Sequence, residues 1–362
     1  MASVLIPLIE DLFAGMRSGR LNEFQGLLGR VWQAAQRQEP AELTRGIERL
    51  SVELPGLGGV FAKVAVLAGA LVERGGSALP LAATLPSRAA TALELSAQFV
   101  SVWPTVAGGA DLPDPGNRPG MRDLIKTLTA DGYAEQEATA LVMAWCEVED
   151  WLKASITALM RREFRDAMDS QDRERLRLAA RAYSDESQRA YWVHGLASVL
   201  DNAPLIALDA ETRRGYTLTM SGVGDNFQLH VLLADRLIGP SRRGLLPGKP
   251  PKPEWVRAAT DGPTRTAKVA DAPARSFRLF DGHGRYVVPD GWPSDIQPTD
   301  GARIVVLYPP NGNYMRLEGR IFVQLMPTLT LDEILDADAA ASWFARTVPA
   351  VQDDLMAPPR SS

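Results

Sequence analysis

The chain has 362 residues, of which 46% are hydrophobic and 23% charged, and a formal net charge of −5. That length suits two hydrophobic cores better than one, and the composition excludes wholesale disorder. The acidic balance argues against nonspecific nucleic-acid binding, which needs dense Lys and Arg to neutralise phosphates. Only six of the 39 basic residues are lysine, leaving 33 arginines, a skew expected of a GC-rich bacterial genome or of selection for bidentate anion recognition. Cys146 is the only cysteine, so no intramolecular disulfide can form. Glu10 and Asp11 interrupt the first apolar run, so no secretory signal is expected. The longest apolar stretch, Val60–Val72, is too short for the roughly 20 residues a spanning helix needs. A cytoplasmic protein with no membrane association is expected.

Apolar residues at helical spacing predict helices over about 3–18, 22–38 with Asn22 as cap, and from Pro40 through Leu50. The segment 60–74 is rich in Ala and Gly and predicts a helix that another can approach closely. A helix over 87–102 follows, with Ser87 as candidate cap. Residues 107–120 are too rich in Pro and Gly to be helical and read as a surface loop within one helical assembly. A helix over 120–130 and one continuous helical pattern over 133–168 come next. Residues 161–189 mix eight arginines with seven acidic residues, and Arg162/Asp166 and Asp169/Arg173 stand at ion-pair spacing. The last helix of this series covers 185–201.

From Pro204 the period changes to that of strands. Leu205–Leu208 and Tyr216–Met220 predict a hairpin, Ser221–Asn226 a glycine loop, and Phe227–Ile238 a short helix. Residues 239–275 read as a long, basic, Pro-rich loop. Further strands are predicted at Ser276–Phe280, Tyr286–Val288, Ala302–Tyr308 and Arg320–Leu325, around a Pro-Pro-Asn-Gly-Asn loop at 309–313. A closing helix is predicted over Leu331–Val348, with Thr330 and Glu333 at capping-box spacing. The expected fold is α+β: an α-helical domain over 1–202, an α+β domain over 203–350 with a largely antiparallel sheet, and a flexible tail over 351–362.

The most specific candidate site is Ser221-Gly222-Val223-Gly224-Asp225-Asn226, between a predicted strand and a predicted helix. Two glycines and the amides of a helix start can hold an anion, while Asp225 would set a negative charge at that same end. Ser221, Gly222, Gly224, Asn226 and Trp192 are candidate binding residues for a small anionic ligand, at a junction between the domains. A purely structural strand-to-helix turn is the competing reading. His194, His230 and Asp225 are candidates for acid–base chemistry if they meet in space, and structural residues otherwise; His283 reads as a turn residue. Glu147 and Asp150 share a helical face that reads as solvated and acidic. Cys146 reads as a small core residue. No metal or cofactor signature is present, and none is expected to bind. Arg242, Arg243, Lys249 and Lys252 lie in the one locally basic stretch, where an acidic protein partner can dock. Two functions remain open: a non-catalytic adaptor or regulatory protein, and an enzyme or binder of a small anion. The oligomeric state is not readable.

Overall fold

A computed structural model describes residues 4–116, 120–262, 276–310 and 320–350. The chain divides into two compact units, Met1–Ala197 and Ser198–Ser362. The expectations for the flexible tail at 351–362, for part of the 107–120 loop, for 263–275 and for much of the 309–313 loop lie outside the described residues.

The first unit is helical. Its elements are α1 (Leu5–Arg17), α2 (Leu21–Ala35), α3 (Pro40–Ser51), α4 (Lys63–Glu73), α5 (Leu85–Val106), α6 (Met121–Ala130), α7 (Glu135–Leu159), α8 (Arg162–Ala167), α9 (Ser170–Ala182) and α10 (Gln188–Ala197). The small residues of α4 do what their size allows: a Cβ on Gly69 would stand 3.2 Å from the Cα of Ala154 in α7, so the two backbones nearly touch. Phe99 of α5 stacks between Trp103 and Trp145, both at 5.3 Å. Those two indoles also donate to the carbonyls of Asp111 and Pro113, which pins the Pro/Gly-rich loop. Among the described residues no helix is long and apolar enough to cross a membrane.

Three expectations for this unit need correction. The pattern over 133–168 is two helices, because the chain turns extended at Arg161 and buried Arg165 donates to the Leu159 carbonyl at the end of α7. Asp169 stands at the start of its helix rather than on a face within it. It caps α9 by accepting from the Gln171 and Asp172 amides, and Arg173 donates to the Ala197 carbonyl. Asn22 and Ser87 both lie inside their helices, which begin after Arg20 and Thr84.

The second unit holds a mixed sheet in the order β3-β5-β1-β2-β6: β1 (Ala203–Asp209), β2 (Gly215–Ser221), β3 (Arg278–Asp281), β4 (Pro298–Thr299), β5 (Ala302–Tyr308) and β6 (Thr328–Ile334), with β4 paired to β5. Among the strand pairs of the described residues only β1–β5 is parallel. Helix α11 (Asn226–Leu237) covers one face through Leu229, Leu232, Leu233 and Leu237, against Leu205, Leu218 and Val305. Its far side, Phe227 and Val231, packs on Trp255 of α12 (Pro253–Ala259), so α11 is buried on both sides from Asn226 to Ala234. The other sheet face, Ile206, Leu208, Ile304 and Val306, meets Phe344 of α13 (Ala337–Phe344).

The hairpin, α11 and the Ala302–Tyr308 strand form where the periodicity put them. The closing helix starts later: Thr330 and Glu333 belong to β6, and Asp336 caps α13 by accepting from the Ala339 amide. Tyr286–Val288 makes one bridge, from Tyr286 to Phe280, rather than a strand. Among the described residues Arg320–Leu325 pairs with no strand: Phe322 and Leu325 are buried, Ile321 and Val323 face outward, and a turn between them is closed by the Leu325 amide donating to the Phe322 carbonyl. It is an unpaired strap.

Candidate functional site

The loop Ser221–Asn226 leaves β2 and enters α11. Gly222 has φ +66°, and a Cβ there would stand 3.2 Å from the Met326 carbonyl oxygen. A Cβ on Gly224 would run into Leu325 and approach Phe322 at 3.2 Å. Both glycines are therefore required by the strap over Arg320–Pro327, which lies directly on the loop. Phe322 stacks on Trp292 with ring centroids 5.7 Å apart, which fixes the strap from its other side.

Asp225 joins the loop to the strap. It is 1% exposed, and its two carboxylate oxygens accept separately from the Gln228 amide of α11 and the Ile321 amide of the strap, each at 2.8 Å. Burial pushes its carboxyl up to about 6, against the opposing pull of those two amides; Asp290 adds to the rise and Arg320 resists it. Gln228 accepts from the Gly224 amide at 2.7 Å and donates to the Ala259 carbonyl at 2.9 Å. Buried Arg320 donates to the carbonyls of Arg257, Ala258 and Val323. A polar network thus ties the loop, α11, the end of α12 and the strap into one body.

Three of the loop's amides are spent inside the protein. Gly222 donates to the Leu200 carbonyl, Gly224 to Gln228, and Asn226 to the Gly291 carbonyl. Ser221 Oγ donates to Asp201 and accepts from the Asn202 amide. An anion would have to displace these bonds and the strap together, so the geometry here is that of a structural strand-to-helix turn. Three buried atoms of this loop and strap lack a partner: Asn226 Oδ1, Arg320 Nε and Gln324 Oε1.

Each histidine has its own local setting. His194 Nδ1 lies 3.1 Å from the Arg177 carbonyl oxygen, and Trp192 on the same helix is exposed. His230 is buried one turn along α11 from Asn226, its ring stacked on Phe277 at 4.8 Å. His283 lies in the turn after β3, where its amide donates to Asp281.

Glu147 and Asp150 correct the expectation of a solvated acidic face, being 5% and 8% exposed. Glu147 accepts from the Gly59 amide and from Trp151 Nε1, with Arg88 stacked over the Trp151 ring. Its role is to tie α7 to the start of the 3₁₀ turn before α4. Cys146 is half-buried. Among the described residues no group of three His, Cys, Asp or Glu side chains could hold a metal.

The basic loop is ordered and outward. Leu246 is buried, donates to the Leu237 carbonyl at 2.8 Å and accepts from Gly239, while Tyr216 Oη donates to the Gly244 carbonyl. Anchored this way, the loop exposes Arg242, Arg243 and Lys249. Among the described residues no carboxylate pairs with these three. Lys252 is half-buried, immediately before α12, and has a partner of its own.

Sequence reasoning missed the strap and Gln228. The signal for the strap was the apolar run Ile321, Phe322, Val323 and Leu325, which looks the same in a paired strand and in an unpaired segment that turns. Comparison with family models, with curated proteins and with solved structures finds no match to this chain.

Proposed function

We propose that this chain is a non-catalytic adaptor or regulatory protein of the bacterial cytoplasm that acts by docking an acidic protein partner on its 240–252 loop. The observation that carries this reading is the rigid display of Arg242, Arg243 and Lys249. Three unpaired cations on an anchored loop cost little entropy to order on binding and steer an acidic surface towards them. Photo-crosslinking from a probe at position 242 tests it, with identification of the adduct and titration of the purified partner. The partner should lose at least tenfold in affinity for the Arg242→Glu/Arg243→Glu variant and weaken as salt rises. Equal affinity for both proteins would sink the reading.

A second reading, a small anion on Ser221–Asn226, draws support from the orphaned donor Arg320 Nε. It requires the strap to lift. Gly224→Val should then abolish any phosphate-induced thermal shift without unfolding the protein.

A further inference from the structure

The opposite end of β2 carries a different kind of place. The β1–β2 turn borders a cleft of about 270 Å³, lined on one side by Arg213 and Arg214 and on the other by Asp336, Ala337, Ala341 and Phe344 at α13. Arg213 has φ +59°, in the left-handed region that favours glycine or asparagine. Either would build the turn at lower cost, so the arginine has to be explained by its side chain. That side chain lies over the Phe344 ring, its guanidinium carbon 3.5 Å from the ring centroid. Stacking fixes the guanidinium plane and leaves its N–H edges for acceptors in that plane. Arg214 is fixed as well, its Nη1 donating to the Leu245 carbonyl at 2.7 Å.

The Arg213 guanidinium thus faces the cleft, whereas that of Arg214 turns to the α11 face of the sheet beside Tyr216; among the described residues Arg213 forms no ion pair with a carboxylate. Asp336 is the one acid in the lining, and it accepts from the Ala339 amide. The cleft lies just below the usual range for ligand pockets, about 300–1,000 Å³, so it confines its occupant to a compact molecule. We infer that this cleft binds a small organic oxyanion, its phosphate or carboxylate head on Arg213 and a short aliphatic body over Ala337 and Ala341. The inference is independent of the partner-docking reading, because it uses none of the same side chains.

Titrations of the full chain followed by NMR test it with methylphosphonate, butyrate and, as control, chloride at matched ionic strength. At least one oxyanion should give saturable shifts at Thr212–Arg214 and Ala337–Ala341 in the millimolar range; which of the two does so identifies the head group. Arg213→Gln should weaken that binding at least tenfold. Ala341→Trp keeps Arg213 and fills the cleft from an exposed position, and it should abolish binding; Arg213→Gly, which suits the backbone, guards against misfolding. Shifts that chloride reproduces, or binding that survives either Arg213→Gly or Ala341→Trp, would overturn the inference.

Discussion

The two ends of β2 make an instructive pair. Each turns through a left-handed residue, Arg213 at one end and Gly222 at the other. At Gly222 the reason is crowding: the Met326 carbonyl leaves no room for a Cβ, and the strap seals the loop. At Arg213 the space beyond is open, and a large side chain occupies it at a conformational cost. Glycines next to a helix start are thus explained here by a close backbone approach, whereas the costly arginine marks the accessible cleft. The difference can be broken or sharpened by experiment.

The largest expected effect concerns Asp225. Its carboxyl titrates near 6 in the fold and near 3.8 in the unfolded chain, so between those values the folded state holds more protons. Stability from this group is therefore greatest at low pH and falls as pH rises through that window, by roughly 3 kcal/mol once pH 7 is reached. Urea midpoints at pH 4.5 and 7 compare wild type with Asp225→Asn. The wild type should gain stability on acidification relative to the variant; parallel profiles would contradict the buried latch.

A somewhat smaller effect is expected at Gly224. Valine there drives a branched side chain into Leu325 and Phe322 and should cost about 2 kcal/mol, the typical scale of overpacking. A neutral substitution would mean that the strap stands away from the loop. Hydrogen exchange gives the same information without mutation: the Gly224 and Ile321 amides, both bonded to buried acceptors, should exchange slowly.

How much of this was legible in the sequence follows from what each element is made of. The helices of the first unit and the β1–β2 hairpin were readable because their burial follows a single period. The Glu147 network was not, because two carboxylates three apart look the same on a wet face and on one closed by Arg88 and Gly59. The break before α8 left no proline or glycine, since a side chain, Arg165, makes the cap. The candidate loop was found at its residues and misjudged in its surroundings. What seals it comes from about 100 residues further along, and periodicity carries no information about such pairing.

The smallest expected effect on the fold lies on the basic loop. Arg242→Glu/Arg243→Glu changes two exposed side chains without ion pairs, so stability should stay within about 0.5 kcal/mol of wild type. That neutrality makes the variant a clean probe of docking. The most direct test of the account is therefore a titration of the partner recovered by crosslinking at position 242 against wild type and this variant, at low and at high salt. The account predicts at least a tenfold loss of affinity in the variant and a wild-type affinity that falls steeply with salt. Equal, salt-insensitive affinities would contradict it.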